Sequence, residues 1–326
     1  MSELIFRKVV FDELSRYEEI FEQCFGFKAS EDYFRWKYLS NPEGEVIAFE
    51  AFDPEKNKVA AFYGVMPEAY IIDGQEVRIY QSMDTMTHPE YRNRGLFIKL
   101  ANMTYDYVCE KDGSALFIGI PGSNSFYGFV KKLHWENPIN IRYIFNNTLY
   151  LRLRLLFSND ASVSTEEVSE FDSSVNEIFN SHEGRCLVSK KLNSEILNWK
   201  FSMHPIYQFL KFIIIKEDKI VGVSIVEKNG KNIRIILYKD MDTSGSIQRL
   251  FIKEIAKRFS NHVLFTWESN GNLINNSNKN LFFINPFSKG LFSYRVPFIT
   301  LIKGDFKNLN VIKNIANFDL YPAIQD

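Results

Sequence analysis

Three cysteines in 326 residues, Cys24, Cys109 and Cys186, are too few and too far apart for a disulfide framework, and their number is odd. Histidine is scarce, five in all, and no C-x-x-C or H-E-x-x-H spacing occurs. Neither a structural zinc site nor a hydrolytic metal centre is therefore expected. Neither sign of charge dominates: 39 Lys and Arg oppose 40 Asp and Glu for a net charge of −1. That balance argues against the basic footprint of a nucleic-acid binder or a membrane-surface protein. No 18-residue apolar run is present, nor an N-terminal apolar core of the export type. The expectation is a chain that neither crosses a membrane nor is exported, and so a cytoplasmic one. Also missing are the Gly-Lys-Ser/Thr of a P-loop and a G-x-G-x-x-G fingerprint.

What is abundant is aromatic side chain, 15% of residues, with 30 Phe and 16 Tyr. Most of it will be core, and part can line a cleft. With 45% hydrophobic residues the core is sizeable, and 326 residues suit two domains. The stretch Met83–Leu100 organises the chain. A strand-like run ends at Pro89, a basic turn with Arg92 and Arg94 follows, and Leu96, Leu100, Met103 and Tyr107 recur at helical spacing. A helix start with unpaired N–H groups, a glycine that lets the backbone come close and two arginines suits a phosphate or pyrophosphate.

Thr87-His88-Pro89-Glu90-Tyr91-Arg92-Asn93-Arg94-Gly95-Leu96-Phe97 resembles the acyl-CoA signature of the GNAT N-acetyltransferases, V-x-P-x-x-(R/Q)-x-x-G-x-(G/A). Arg92 matches the R/Q and Gly95 the central glycine. Phe97 replaces the final small residue, and Asn93 a frequent extra glycine. Downstream, Asn124–Trp135 resembles the family's second cofactor segment. Lys132 matches its lysine, His134 stands for its glycine and Trp135 for its closing aromatic, while Asn124 fits if one residue is missing between. The family's tyrosine, an acid for the departing thiolate, falls on Val130, with Tyr127 one turn earlier.

Read in order, the segments before and after that turn alternate as β-α-α-β-β-β-α-β-α-β. Leu4–Val10 reads as a strand and Asp12–Phe25 as a helix. Glu31–Leu39 is a second helix capped by Ser30, and strands follow around Asp53–Asn57 and Asp73-Gly74. Ala115–Ile120 reads as a strand, Ser123–Leu133 as a short helix and Ile139–Phe157 as β-rich. Ser158–Asn180, polar and serine-rich, reads as a linker.

Beyond it the chain repeats itself. Y-F-R-W-K-Y-L-S-N-P at Tyr33–Pro42 is echoed by I-L-N-W-K-F-S-M-H-P at Ile196–Pro205, with Trp36 and Trp199 offset by 163, half the chain length. The expectation is an α/β protein of two tandem GNAT-like modules, each a mixed β-sheet flanked by helices: residues 1–157, a linker over 158–180, and 181–326. The second module is read as degenerate. Its turn, Tyr238–Ser246, has no basic residue after Lys239, and Asp240 and Asp242 would repel a pyrophosphate. Asn270–Asn280 reads as a loop, and Leu281–Ile302 as the strands that complete the second sheet.

The resemblance implies an N-acyltransferase that uses acetyl-CoA or a related acyl-CoA as co-substrate, with no metal, and acts on the amine of a small polar acceptor. An amino sugar suits the aromatic content. A backbone N–H among Thr85, Met86 and Thr87 would polarise the thioester carbonyl. The turn Arg92, Asn93, Arg94, Gly95, Leu96, Phe97, together with Asn124, would bind the cofactor. Catalytic candidates are Asp84, the one acid on the strand, and Tyr127. The other reading makes Asp84 a hydrogen-bonded strand carboxylate and Tyr127 a packing residue. Gln81 sits where some relatives carry Glu. Two other functions remain open: a Fem-type peptidyltransferase, and a non-catalytic sensor that binds acyl-CoA and a partner protein.

Overall fold

The computed structural model describes residues 3–158, 162–183, 185–268, 274, 276–284, 296–307, 309–314 and 317–324. The elements in chain order are β1 (Ile5–Lys8), α1 (Glu18–Phe25), α2 (Glu31–Tyr38), β2 (Ile47–Asp53), β3 (Lys58–Ile72), β4 (Gln75–Thr87), α3 (Leu96–Asp112) and β5 (Ala115–Gly119). Then come α4 (Ser123–Tyr127), which runs on as a π turn to Lys132, β6 (Glu136–Asn147), α5 (Thr148–Arg154), β7 (Val163–Val168), α6 (Asn176–Asn180) and β8 (Val188–Lys190). The rest is α7 (Ser194–Leu197) with a π turn to Ser202, β9 (Leu210–Lys216), β10 (Lys219–Asn229), β11 (Asn232–Asp240), α8 (Ser246–Arg258), β12 (Val263–Glu268), β13 (Phe283–Ile284), β14 (Val296–Lys303) and α9 (Leu309–Lys313).

The described strands join one mixed sheet, in the order β1-β2-β3-β4-β5-β14-β6-β12-β11-β10-β9-β7, with β8 on β3 and β13 on β6. The order β2-β3-β4-α3-β5 recurs as β9-β10-β11-α8-β12. In each set the hairpins are antiparallel, and the strand after the long helix returns parallel, β5 to β4 and β12 to β11. The halves then trade strands. β6, which follows β5 in the chain, pairs with β12 of the second half. β14, which comes after β12 and the two-residue β13, lies on β5 of the first half. β14 and β6 pair with each other at the middle.

Three apolar clusters hold the layers. One lies under α3, with Tyr63, Tyr105, Phe117, Phe129 and Trp135. Another binds α1 and α2 to the sheet through Tyr17, Phe21, Phe34, Tyr38 and Phe62, and includes Trp199. The largest runs from β5 and β6 through the whole second half. At about 25 cal/mol per Å2 of apolar surface, clusters of this size are the main stabilising term.

Local chemistry explains most of the elements. The Ser30 hydroxyl accepts from the Tyr33 N–H and caps α2. Asp73 and Gly74 both have positive φ, as the β3–β4 hairpin turn requires. Two expectations need correction. Leu149–Arg154 alternates apolar and other residues like a strand, yet it forms α5, because the Asn147 side chain accepts from the Leu149 N–H at 2.8 Å and starts a helix. The segment expected to be a loose linker carries β7 and α6. β7 is an outer strand on β9, with only one edge paired among the described residues, and its polar sequence V-S-T-E-E-V hides it. Within the expected loop at 270–280, residues 276–281 form a 3-10 turn, and 270–273 and 275 lie outside the described residues. Of the expected β stretch at 281–302, residues 285–295 also lie outside them.

Candidate active site

β4 is bulged at the centre of the site. Met83 faces Gly64 and Met86 faces Phe62, so Asp84 and Thr85 together oppose Tyr63 alone. A bulge of this kind re-aims side chains and twists the strand. Asp84 takes a positive φ of 40° there. On the other edge, β4 pairs with β5 only at Tyr80 and Gln81, and beyond Gln81 that edge has no strand partner among the described residues. The two strands diverge, and a cleft of about 660 Å3 opens between them. Gln81 through Thr85 form one wall, and Gly119 through Ser125 the other. Gln81 is 1% exposed, and its Oε1 has no hydrogen-bond partner among the described residues. Behind the wall a chain of hydroxyls runs from Ser82 to Tyr63 to Tyr105, which accepts from Trp135 Nε1. Burial holds the Tyr63 and Tyr105 phenols well above their ordinary pKa, so they serve as neutral links.

The turn after β4 supplies a second feature. A short 3-10 turn, Pro89–Tyr91, leads to Asn93 at φ 63° and Gly95 at φ 72°, and α3 starts at Leu96 with no side-chain cap. Asn93 stands where the resemblance puts an extra glycine, and asparagine tolerates this left-handed backbone. Gly95 is required for its φ rather than for space, since a Cβ there would meet nothing within 4 Å. Arg92, Asn93, Arg94 and Gly95 are all exposed. Arg92 Nε lies 3.5 Å from the Thr87 carbonyl, and Arg94 donates to the Glu90 carbonyl and stacks over Tyr91. The uncapped start of a 17-residue helix beside two arginines is an anion-binding arrangement.

Phe97, which replaces the family's small residue, packs on Phe129 at 5.0 Å and Tyr63 at 5.9 Å. Gly128 makes room for it: a Cβ at Gly128 would fall 2.5 Å from Phe97 Cε1. Leu96 is buried beneath the turn. His134 has a φ of 59°, a left-handed residue where the resemblance expects glycine.

The remaining candidates are brought together only in part. Thr85 and Asn124 line the cleft; Met86 is buried in the α1–α2 layer, and Thr87 ends β4. Asp84 reaches the cleft, but its Oδ1 accepts from Lys37 Nζ at 2.9 Å and its Oδ2 from the Tyr38 hydroxyl at 2.8 Å. Both lysine and aspartate are buried, so this carboxylate is held in an ion pair instead of standing open as a base. Tyr127 is 64% exposed on α4 and does not line the cleft, whereas Ser125 and Phe129 on either side of it do. Tyr127 thus stands outside the cleft that its neighbours Ser125 and Phe129 line.

Sequence reading missed the far end of the cleft. Phe21, Phe25, Tyr33, Trp36 and Lys37 meet Trp199, Lys200, His204 and Tyr207 of the second half, with Glu227 and Arg234 from β10 and β11. The signal was there, since Trp36-Lys37 and Trp199-Lys200 are the repeated pair.

In the second half Gly245 repeats the geometry of Gly95, with a φ of 81° before α8. Here the nest is filled. Asp242 Oδ2 accepts from the Ser246 N–H at 2.7 Å and the Ile247 N–H at 3.2 Å, and Oδ1 from the Ser244 N–H at 2.9 Å. Burial pushes the Asp242 carboxyl up, but these bonds outweigh it and hold it below the ordinary range. Asp240 is tied to the Tyr238 hydroxyl and, chiefly through burial, is pushed up to about 6. Asp242, one of the two aspartates expected to repel a pyrophosphate, thus caps its own helix start.

Among the described residues no group of three or more His, Cys, Asp or Glu is placed to hold a metal ion, and no helix is long and apolar enough to cross a membrane. No curated protein matches the chain. Among solved structures, a GCN5-related N-acetyltransferase from Anabaena variabilis is 18% identical, with a TM-score of 0.68 over 91% of this chain and 72% of its own. A conserved protein of unknown function from Enterococcus faecalis, described as a probable N-acyltransferase, is 11% identical, with a TM-score of 0.69 over 92% and 72%. Saccharomyces cerevisiae N-myristoyltransferase with bound myristoyl-CoA is 13% identical, with a TM-score of 0.59 over 98% and 85%. At these identities the likeness is one of fold, a mixed α/β sheet flanked by helices. Within the chain, residues 6–136, which hold the bulged strand, the basic turn and one side of the cleft, match the family model of the acetyltransferase (GNAT) domain.

Proposed function

We propose that the protein transfers an acetyl or other acyl group from acyl-CoA to the amine of a small polar acceptor. One observation carries this reading: a bulged β4 splays from β5 directly before an arginine-flanked helix start with no side-chain cap. On this reading the pyrophosphate lies on the turn from Arg92 to Phe97, and the pantetheine arm enters the cleft past Asn124. The thioester carbonyl meets the backbone at Thr85. The amine attacks that carbonyl, the C–N bond forms and the C–S bond breaks. CoA leaves as a thiol, taking up the proton the amine gives up. The Gln81 amide oxygen is placed to accept from the amine N–H, and the Lys37–Asp84 pair fixes the bulge. The aromatic walls suit the face of a sugar ring, which makes an amino sugar a candidate acceptor.

The chain is further proposed to be two GNAT-like modules, residues 1–157 and 181–326 joined over 158–180. In this reading the second has lost cofactor binding because Asp242 fills its nest. A second reading, an acyl-CoA-binding sensor without turnover, is favoured by the engagement of Asp84 and the outward position of Tyr127.

Titration with a non-hydrolysable acetyl-CoA analogue, followed by acetyl-CoA turnover against an amine panel with thiol detection, tests both. Binding at one equivalent with turnover is expected. Binding without turnover by any amine leaves the sensor, and absence of binding removes both readings.

A further inference from the structure

The repeat that pairs Trp36 with Trp199 also pairs Asn41-Pro42 with His204-Pro205, at the same offset of 163. In both copies the side chain before the proline closes a turn. Asn41 Oδ1 accepts from the Glu43 N–H at 3.1 Å and its Nδ2 donates to the Pro67 carbonyl, so the whole amide is spent on structure. His204 Nδ1 accepts from the Ile206 and Tyr207 N–H groups, both at 3.1 Å. A ring nitrogen that accepts carries no proton, so this pattern assigns the proton of the neutral imidazole to Nε2. Burial, with Lys37 and Lys200 nearby, holds the ring down at about 4, and it is uncharged at neutral pH. Nε2 has no hydrogen-bond partner among the described residues, and the side chain lines the cleft. His88, the other histidine before a proline, differs: its Nδ1 accepts from the Glu90 N–H, its Nε2 faces Glu19 at 3.5 Å, and it does not line the cleft.

We infer that His204 selects the acceptor by donating its Nε2–H to an oxygen of that molecule, a hydroxyl or a carbonyl, while the amine reaches Thr85 and Gln81. This rests on the acyl-transfer reading above. The donor is set before any ligand arrives. The turn holds one side of the ring, and Trp36 at 4.3 Å, Tyr207 at 5.1 Å, Phe209 at 5.8 Å and Tyr33 at 6.2 Å surround it. Such a group needs little reordering to bind, and an analogue without the oxygen leaves it unmatched. Asn41 shows what the turn alone requires, and the imidazole at the repeated place adds a second nitrogen that the turn does not use. The second half would then set which amine is accepted, and the first half would hold the acyl donor.

The test compares amines that differ only in the oxygen: amino alcohols against their deoxy analogues, and amino amides against the matching alkyl amines, with rates corrected for the fraction of free amine. In at least one series the oxygen-bearing member is expected to show kcat/KM about tenfold or more above its counterpart, mainly through KM. The series that does so tells hydroxyl from carbonyl. His204→Asn, the residue of the first copy, keeps an acceptor for the turn but has no donor at the Nε2 position, and the ratio should collapse. His204→Gln can place an amide N–H near that position and should restore part of it, with thermal melting used to confirm the fold. Equal kcat/KM within both series would overturn the inference, and so would a His204→Asn protein that lowers both members alike. Nitrogen NMR of the imidazole, assigned by its loss in His204→Asn, should show the proton on Nε2; a proton on Nδ1 would equally overturn it. If no amine turns over, calorimetry of the same compounds on CoA-loaded protein still decides. Oxygen-dependent binding lost in His204→Asn supports the donor even though acyl transfer has failed, and binding that ignores the oxygen, or no binding by either member, removes it.

Discussion

Trp36 and Trp199 exchange the same bond. The Trp36 Nε1–H donates to the Trp199 carbonyl at 2.7 Å, and the Trp199 Nε1–H to the Trp36 carbonyl at 3.0 Å. Their rings stack at 5.5 Å and 27°. Two residues 163 apart in sequence therefore meet across a local two-fold, at the seam where both halves line the cleft.

Trp199→Phe removes one of these donors and strands a part-buried carbonyl, a loss of about 1–3 kcal/mol. Urea denaturation should show that loss. Because the pair acts as a unit, Trp36→Phe with Trp199→Phe should cost less than the two singles added, by at least about 0.5 kcal/mol. Strict additivity would mean that the reciprocal bonds are not coupled.

Gly95→Glu puts an anion at the start of α3 and a Cβ on a left-handed backbone. Acetyl-CoA affinity by calorimetry should fall by at least ~100-fold, near 2.7 kcal/mol. Gly95→Asn tolerates the same φ without the charge and should keep binding within about tenfold. Unchanged affinity in a folded Gly95→Glu protein would move the pyrophosphate elsewhere.

Tyr127→Phe is expected to leave kcat within about threefold of the parent, because the hydroxyl stands outside the cleft. An acid for the thiolate would lose ~10²-fold or more. A fall of that size would show that α4 turns inward when the cofactor binds.

Asp242 gives a pH signature. Its folded pKa lies below its unfolded value of about 3.9, so its stabilisation is present above that value and is lost as pH falls through the folded one. Asp242→Ala should cost about 0.5–2 kcal/mol at neutral pH, as for other helix caps. The gap between parent and variant should narrow as pH drops below about 4. A gap that stays constant down to pH 3 would show that the bonds to Ser244, Ser246 and Ile247 do not depend on the charge.

Much of the first half was legible because its signals are local. The Ser30 cap, the Asp73-Gly74 turn and the Arg92–Gly95 loop each act over a few residues, and the family pattern covers the stretch that holds them. α5 was not legible, since Leu149, Leu151 and Leu153 at period two fit a strand as readily as a helix whose faces are unequally buried. The exchange of β6 and β14 leaves no local mark at all; pairing over such distances is decided by the whole sheet. The roles given to Asp84 and Tyr127 rested on position along the chain, and neither the Lys37 ion pair nor the outward turn of α4 can be read from that. Lys200 and Arg234 were passed over for the same reason, since nothing in their own segments ties them to β4.

The strand exchange also bears on how the protein is made. Gly119 at the end of β5 leaves the ribosome 177 residues before Val296, the first residue of its neighbour β14. At roughly 5–20 residues per second, the floor of the cleft waits roughly 9–35 s with one edge bare. An apolar strand such as Ala115–Gly119, exposed for that long, invites pairing with other chains. The nascent first half would need shielding until the last strand arrives. Removing residues 180–326 would leave that edge open permanently, so a shortened chain is expected to aggregate before its activity can be measured.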